Sequence, residues 1–438
     1  MKLRNMLLAA VGAAIAVGGV VEAKMAVAAE IFIPVMVYRT GPYAPSGVPI
    51  ANGFRDYYTL LNKRDGGIGG HKIVWEECET KYNTKIGVEC YEKLKNKSGG
   101  AVIVSPYSTG LTYQLIPKAP VDGVPILSMG YGRTAAADGR IFPWVFNFPT
   151  TYWSQASAFV NYVAREEGGI AKLKGKHIAH VYHNSAYGKE ANPTLVALSK
   201  KLGFKLTLLA VDHPGQEQKA TWLQIRRKKP DWVFMSGWGV MNSVAIKEAA
   251  SISYPMDHFV GNWWSGSDAD VIPAGDGSKG YKSTAMHAAG TGFPVFDDIV
   301  EHVYGGDAAK AKANNIGEVL YNRAVLNAMF ATEAIRDAVA AAGGKRPSGK
   351  QVREALENLR VDPIRLEGVG MAGFTQPVSV SCKDHEGSGP VMIQQWDGKQ
   401  WKFASDWVPV MRNVVRPMIE KAAAAYAKEN KIKPRKCG

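Results

Sequence analysis

Short apolar segments and amphipathic helical segments alternate along most of this chain of 438 residues. Strand-like runs stand at 31–40, 71–77, 100–106 and 124–130, and helix-spaced apolar residues fill the intervals, as at 47–65. Neighbouring parallel strands need long crossover connections, which are usually helices. The alternation therefore predicts an α/β fold built on a parallel sheet with helices on its faces.

The alternation starts again after residue 152 and predicts a second sheet. Strand-like segments follow at 176–183, 205–212, 231–238 and 258–264, again separated by helical segments. Long Ala-rich helices come after residue 287, and an Asp-Gly turn at 397–398 between strand patterns predicts a β-hairpin. Because the chain is also too long for one comfortable core, we expect two doubly wound parallel-sheet lobes.

The stretch LNKRDGGIGGHKIVWEE at 61–77 shows how one joint of this fold is made. Gly66 stands where the preceding helix needs a left-handed residue at its end. The glycines after it permit a tight reversal that returns the next strand beside the first. The stretch predicts a compact helix-to-strand joint, which Gly67→Val should strain.

The first 29 residues are typical of a secretory signal peptide. Lys2 and Arg4 precede an apolar run, and small residues permit cleavage after Ala28 or Ala29. The run is too short and too rich in Ala and Gly for a good membrane span. We expect a soluble, exported, periplasmic protein.

The formal net charge of +14 would suggest nucleic acid binding in a cytoplasmic protein. Here the basic residues are scattered, as in RRKKP at 226–230 and KIKPRK at 431–436, and form no stripe. We interpret them as solvated surface, with attraction to anionic ligands or membranes as the second interpretation, and expect no nucleic acid partner.

The four cysteines permit three pairings, and export favours disulfides. Cys78 ends a predicted strand and Cys90 lies in the following predicted helix, so a bond between them is geometrically easy. Cys382 and Cys437 remain, and their bond would fasten the C-terminal tail to the body. Metal binding is the alternative, but neither CxxC spacing nor paired histidines support it.

Five motifs, taken in order, resemble a known family. They are TGPYAPSG at 40–47, the glycine joint at 61–77, VPILS at 124–128, HNSAYGKE at 183–190 and WVFMSGWG at 232–239. Their order resembles that of the branched-chain amino acid-binding (Leu/Ile/Val-binding) type I periplasmic substrate-binding proteins of ABC transporters. The resemblance covers about residues 30 to 410.

This resemblance implies two lobes joined by a three-segment hinge that closes on a small ligand. The implied crossovers lie near 146–150, 281–287 and 374–389. The expected division is signal peptide 1–29, lobe one 30–148 plus 285–375, lobe two 149–284 plus 388–412, and a helical tail 413–438. The tail is expected to pack on the surface, with a docking role as the alternative.

Ligands of open α/β sheets bind beyond the carboxyl ends of the strands. Hydroxyls and free backbone N–H groups at such ends suit a carboxylate or another anion. The resemblance implies that Ser108 holds a ligand carboxylate together with the backbone of Gly130 and Gly132. The candidate ligand-binding residues at the strand ends are Tyr107, Ser108, Thr109, Gly130, Tyr131, Tyr187, Trp238 and Trp263. The alternative for Ser108 and Thr109 is that they only cap the next helix.

Trp263 departs from the family pattern. Amino acid binders of this type carry an acid near this position, facing the ligand ammonium, whereas this chain has Trp263 and Trp264. A desolvated ammonium needs a paired charge or an aromatic cage. We therefore expect a carboxylate- or amide-bearing ligand with an apolar or aromatic body. The alternatives are an ordinary amino acid, or tryptophans that face the core or hold the lobes apart.

An enzyme is not expected, because the chain has no nucleophile-elbow, HExxH or phosphate-loop motif. The histidines at 177–183 lie along a predicted strand and need no catalytic explanation. We expect no cofactor and no metal, a monomer, and ABC permease subunits as partners. A ligand-sensing receptor domain, which would have a membrane partner, is the remaining alternative.

Overall fold

The computed structural model describes residues 29–387 and 389–437. The predicted signal peptide lies almost wholly outside these residues and stays a prediction. The strands are β1 (Ile31–Val37), β2 (Ile73–Glu79), β3 (Ile126–Leu127), β4 (Val145–Phe146), β5 (His177–His183), β6 (Lys205–Val211), β7 (Trp232–Ser236), β8 (Phe259–Gly261), β9 (Lys282–Ala285), β10 (Arg360–Val361), β11 (Val378–Ser379), β12 (Met392–Trp396) and β13 (Trp401–Phe403).

The helices lie between the strands for most of the chain. They are α1 (Ala44–Arg64), α2 (Thr84–Leu94), α3 (Thr109–Leu115), α4 (Ala119–Asp122), α5 (Tyr152–Glu166), α6 (Ala186–Lys189), α7 (Asn192–Leu202), α8 (Lys219–Lys228), α9 (Val240–Ser251), α10 (Asp268–Val271), α11 (Pro294–Tyr304), α12 (Ala308–Ala313), α13 (Val319–Ala341), α14 (Gly349–Glu357), α15 (Pro363–Gly368) and α16 (Arg412–Glu429). None of the helices in the described part of the chain is both long and apolar enough to cross a membrane.

The first sheet is parallel throughout. β1 pairs with β2 over its whole length, and β3 pairs with β4. Residues 101–105 lie between these pairs and join them by isolated bridges, such as Phe32 to Ala101. The prediction of a continuous strand over 100–106 was therefore wrong. The chain enters this segment through a Gly100 with φ of +96° and leaves it through Pro106, which has no N–H to donate.

The second sheet has seven strands in the order β13-β12-β9-β8-β7-β5-β6. β5 to β9 are parallel, and the antiparallel hairpin β12–β13 forms one edge. The predicted hairpin is confirmed, with Trp396 opposite Trp401 on either side of the turn. The chain thus has the expected fold class, two α/β units on parallel-rich sheets.

Three chain segments pass between the two sheets and hydrogen-bond to one another. Asn147 N donates to His385 O over 2.9 Å, and Thr150 Oγ1 donates to Gly389 O over 2.8 Å. The third passage follows β9, where Ala288 N donates to Phe374 O over 2.8 Å. We propose the lobe boundaries given above as the division of the chain, because these three passages connect the two sheets.

The C-terminal helix α16 packs on both lobes. Val415 and Ile419 of α16 are buried against Ala137 of lobe one and Trp153 of lobe two. Beyond the helix, Arg435 forms an ion pair with Glu357 of lobe one. The tail is therefore a packed element of the structure.

Both disulfides favoured by the sequence are present. Cys78 is bonded to Cys90 and Cys382 to Cys437, and the Cα atoms of each pair are 5.7 Å apart. The first bond links β2 to α2, and the second fastens the C-terminal tail to the chain passage near 374–389 that connects the two sheets. The described part of the chain has no free cysteine and no cluster of side chains suited to a metal ion.

The glycine joint has the expected geometry. Gly66 and Gly67 have φ of +72° and +97°, and Gly67 N donates to Leu61 O at the end of α1. A Cβ on Gly66 would meet no atom within 4 Å, whereas a Cβ on Gly67 would lie 2.1 Å from His71 O. Gly66 thus supplies only a left-handed backbone, while Gly67 also permits a close backbone contact.

The pair Gly66→Ala and Gly67→Ala separates these two requirements. We expect Gly66→Ala to lower the free energy of unfolding by about 1–2 kcal/mol, the cost of a left-handed non-glycine residue. Gly67→Ala should cost more than about 3 kcal/mol, because its Cβ also forces the backbone at His71 to move. Denaturant unfolding of the two variants measures both values. Equal losses would contradict the steric role of Gly67.

Candidate ligand-binding site

Aromatic side chains from both lobes meet where the strand carboxyl ends of the two sheets face each other. Tyr38, Tyr107 and Tyr131 come from lobe one, and each follows a strand-like segment of the first sheet. From lobe two come Tyr152, Tyr187, Trp238, Trp263 and Trp264. We call these eight residues the aromatic cluster. Every member is at most 3% exposed.

The cluster joins the lobes directly. The ring of Trp264 lies 4.4 Å from that of Tyr131, and the ring of Trp238 lies 5.9 Å from that of Tyr38. The indole nitrogens of Trp263 and Trp264 both donate to Gly130 O, over 2.9 and 2.5 Å. The structure is therefore a closed arrangement of the two lobes.

The serine and threonine predicted to hold a carboxylate have partners within lobe one. Ser108 is the N-cap of α3 and accepts from Leu111 N over 3.3 Å. Thr109 Oγ1 accepts from Gly132 N over 3.2 Å. Helix capping is thus present for Ser108, whereas the hydroxyl of Thr109 contacts Gly132 and caps no helix. Ligand binding by either hydroxyl stays a prediction.

Tyr107 and Tyr131 lie side by side in the cluster, with ring centroids 5.4 Å apart. Tyr131 Oη is hydrogen-bonded to Tyr38 Oη at 3.2 Å. Tyr107 has a φ of +51°, a region that bulky residues rarely adopt, and its buried hydroxyl forms no hydrogen bond of normal geometry with the described residues, although Asn327 lies near it. A strained backbone and an unpaired hydroxyl at one residue suggest a functional constraint there.

The predicted residues of lobe two differ in how fully they are hydrogen-bonded. Tyr187 Oη donates to Gly237 O over 2.8 Å and is 3.0 Å from Asn262 Oδ1. Trp263 stacks on Tyr152 at 5.3 Å, so its ring packs inside the cluster. Trp238 lies within 6.5 Å of five aromatic rings, and its buried indole N–H has no hydrogen-bond partner in the described part of the chain. Of Tyr187, Trp263 and Trp238, Trp238 is therefore the residue whose polar group is not hydrogen-bonded to the described residues.

The structure brings all eight ligand-binding residues predicted from the sequence to this junction of the lobes. This set overlaps with the aromatic cluster but is not identical to it, and contact of its members with a ligand stays a prediction. Sequence reasoning missed Tyr38, Tyr152 and, above all, Arg323 of α13. Arg323 is completely buried, and its guanidinium lies 4.9 Å from the ring centre of Trp264. Asn322-Arg323 interrupts the mainly apolar first part of α13, in which Arg323 is the one charged residue of 319–332. That interruption was the signal in the sequence.

One carboxylate lies at the edge of the cluster. Glu190 follows α6, and its carboxylate accepts from Tyr113 Oη and, over 3.3 Å, from Thr134 N. Burial raises the pKa of Glu190 above its ordinary value. The side chain lines a cavity of about 270 Å³ together with Arg133 and Ala422 of α16. Both oxygens of Glu190 thus have protein partners.

A second contact between the lobes involves two histidines. Tyr43 Oη of lobe one lies 3.1 Å from His183 Nε2 and 2.7 Å from His213 Nδ1 of lobe two. A hydroxyl can donate to the unprotonated nitrogen of one imidazole and accept from the N–H of another. Burial lowers the pKa of His183 to about 3 and also lowers that of His213. Both rings are therefore neutral at pH 7.

Comparisons with known proteins give one consistent result. A family model described as periplasmic binding protein matches residues 30–400. The Leu/Ile/Val-binding protein BraC3 of Rhizobium johnstonii is 23% identical over 343 residues, which cover 77% of this chain and 86% of that protein.

Two solved structures show the same architecture. A crystal structure described as an ABC transporter permease from the Pseudomonas fluorescens group is 42% identical, with a TM-score of 0.86, and the match covers 94% of this chain and all of that one. An ABC transporter solute-binding protein from R. palustris in complex with benzoate is 17% identical, with a TM-score of 0.69 over 87% of this chain and 97% of that one.

The histidine contact predicts a loss of stability in acid. The unfolded chain binds a proton on His183 near pH 6.5, whereas the folded chain does so only near pH 3. Stability present above pH 6.5 should therefore fall as the pH is lowered towards 3. Between pH 7.5 and pH 5, His183 alone should remove about 2 kcal/mol.

Denaturant unfolding at the two pH values measures this effect. Other buried histidines add to the loss in the parent protein, so the informative quantity is the change caused by His183→Gln. That variant should reduce the pH dependence by about 2 kcal/mol relative to the parent protein. An unchanged pH dependence in His183→Gln would contradict the assignment.

Proposed function

The chain belongs to the periplasmic binding protein family, and from this premise we propose that it is the receptor of an ABC importer for a small carboxylate- or amide-bearing compound with a flat apolar body. The observation that carries the proposal is the aromatic cluster. It lies at the carboxyl ends of strands from both lobes, where such folds bind ligands.

The cluster suits a flat apolar body better than a branched aliphatic side chain. Its indole and phenol rings offer stacking faces from both lobes, and buried donors such as Tyr107 Oη and Trp238 Nε1 have no partner. Unpaired buried donors are costly unless a ligand pairs with them. The benzoate-bound R. palustris protein shares this fold and supports the proposal.

Binding of a branched-chain or other amino acid is the alternative. The Leu/Ile/Val-binding relative favours it. Against it stands the chemistry of the ammonium group, which needs a paired charge or an aromatic cage in a site without water, whereas the aromatic rings of this site already lie beside the cation of Arg323, which would repel a second one. Trp263 occupies the position that the acid takes in amino acid binders, and the oxygens of Glu190 are held by Tyr113 and Thr134 N.

The remaining parts of the proposal concern location and partners. We propose that the chain is exported by its N-terminal segment and closes on its ligand without catalysis. We propose further that it acts as a monomer and presents the closed form to permease subunits. A sensing receptor domain would use the same site. Genes for a permease and an ATPase beside this gene would favour transport, and a gene for a membrane sensor would favour the alternative.

A thermal-shift screen of the mature chain tests the ligand class. The compounds should include aromatic acids, aliphatic acids, their amides and the standard amino acids. A ligand at a hundred times its dissociation constant should stabilise the protein by about 2.7 kcal/mol, and we expect aromatic compounds to give the largest shift. A dominant shift with leucine, isoleucine or valine would establish the amino acid alternative. A new product formed from a bound compound would contradict a purely receptor role.

Substitution of Trp238 tests the site itself. We expect Trp238→Ala to weaken binding of the best compound by about ten- to a hundredfold, because it removes a large stacking face. Trp75→Ala, at a half-buried position outside the cluster, should leave affinity within about twofold. Titration calorimetry measures both. Equal effects of the two substitutions would place the ligand elsewhere.

A further inference from the structure

Arg323 is a buried cation for which the described residues provide no carboxylate. The residue is 0% exposed, and none of the ion pairs formed by the described residues includes it. An uncompensated buried charge destabilises a fold by several kcal/mol, so such groups are usually paired. The position of this one, beside the aromatic cluster, therefore requires an explanation.

The guanidinium is held in place by two neutral acceptors. Arg323 Nε donates to His287 Nε2 over 2.6 Å, and Nη1 donates to Trp263 O over 2.9 Å. His287 Nδ1 in turn faces Ala288 O at 2.8 Å, so the proton is on Nδ1 and Nε2 accepts. Burial and the arginine charge keep the pKa of His287 well below its ordinary value. The arginine is thus oriented but not neutralised.

The unused part of the guanidinium belongs to the cluster. Nη2 is buried and has no hydrogen-bond partner among the described residues, and the guanidinium carbon lies over the Trp264 ring, 4.9 Å from its centre. Tyr107 Oη forms no hydrogen bond of normal geometry with the described residues, and Arg323 and Asn327 both lie close enough to it to oppose the burial-driven rise of the tyrosine pKa. Two unpaired donors, one of them charged, therefore lie in the same region between the lobes.

A purely structural role explains the two bonds of Arg323 but leaves its charge unexplained. An amide or a hydroxyl in its place could also donate to a carbonyl, without the cost of burying a cation. An anion is the partner that uses the charge and the unpaired N–H together, and Arg binds carboxylates well because its fork can donate two bonds.

We propose that the ligand is an anion, a monocarboxylate on a flat apolar body, and that Arg323 supplies the opposing charge while Tyr107 donates a second hydrogen bond. This inference rests on the proposed function and deepens it, because it selects the carboxylate over the amide. It also places the ligand charge at α13, whereas the resemblance placed it at Ser108. The aromatic rings of the cluster then contact the apolar body.

The test compares acids with their own amides. Titration calorimetry on the mature chain should use benzoate, 4-hydroxybenzoate and phenylacetate, each beside the corresponding amide. We expect at least about tenfold tighter binding of the best acid than of its amide. The amide keeps the ring and one carbonyl oxygen, but it loses the negative charge and carries an NH2 donor in place of the second acceptor oxygen. The ratio therefore reports how strongly the site prefers an anion, and the Arg323 variants assign that preference to its charge.

Variants of Arg323 assign that charge. Arg323→Gln should weaken the acid by at least about tenfold and leave the amide within about threefold, and Arg323→Lys should restore part of the acid preference. Arg336→Gln makes the same change on the half-exposed side of α13 and should alter neither affinity. If Arg323→Gln does not fold, the ratio of acid affinity to amide affinity is compared between the parent protein and Arg323→Lys. That comparison then tests whether Arg323 supplies the opposing charge.

The outcomes separate this inference from the receptor function. Equal binding of acid and amide, or an equal loss of both in Arg323→Gln, would overturn the role of Arg323 and leave the receptor function standing. Dominant binding of leucine or valine would likewise overturn the proposed role of Arg323 and leave the receptor function standing. Failure of every acid, amide and amino acid to bind or to close the lobes, as followed by small-angle scattering, would overturn both.

Discussion

The structure depends on three chain passages that hold two separate sheets with their carboxyl ends facing each other. The passages hydrogen-bond to one another, as between Thr150 and Gly389, so they form one connection and do not act as independent linkers. Parallel strands all end at the same edge of a sheet, so loops from both lobes converge on one region. The aromatic cluster, the histidine contact and Arg323 all lie in that region as a result of this topology.

Within that region, exclusion of water determines the energetics. The rings of the cluster are almost inaccessible to solvent, and polar groups among them interact in a medium of low dielectric constant. A neutral group such as Gly130 O can be satisfied there by two indole donors. A buried charge needs an opposing charge as well as hydrogen-bond partners. The environment of Arg323 is therefore more informative about the ligand than that of any neutral residue in the cluster.

The sequence predicted the fold better than the site. Periodicity and glycine placement gave the two parallel sheets, the hairpin and the joint at Gly67, because those signals act over a few residues. The segment at 100–106 was misread, since its composition is that of a strand while Gly100 and Pro106 limit it to isolated bridges. The candidate residues at strand ends were found by topology. Arg323 was missed because the direction of a side chain in α13 depends on how that helix packs against segments far away in the sequence.

The complete burial of Arg323 also has a consequence for how a bound anion would leave. Two opposite charges 4 Å apart attract by about 4 kcal/mol at the dielectric constant typical of a protein surface and by only about 1 kcal/mol in water. Hinge opening that admits water beside Arg323 would therefore weaken its attraction for the cargo without any competing group. Solvent entry would serve as the release step, and a permease would only have to hold the lobes apart.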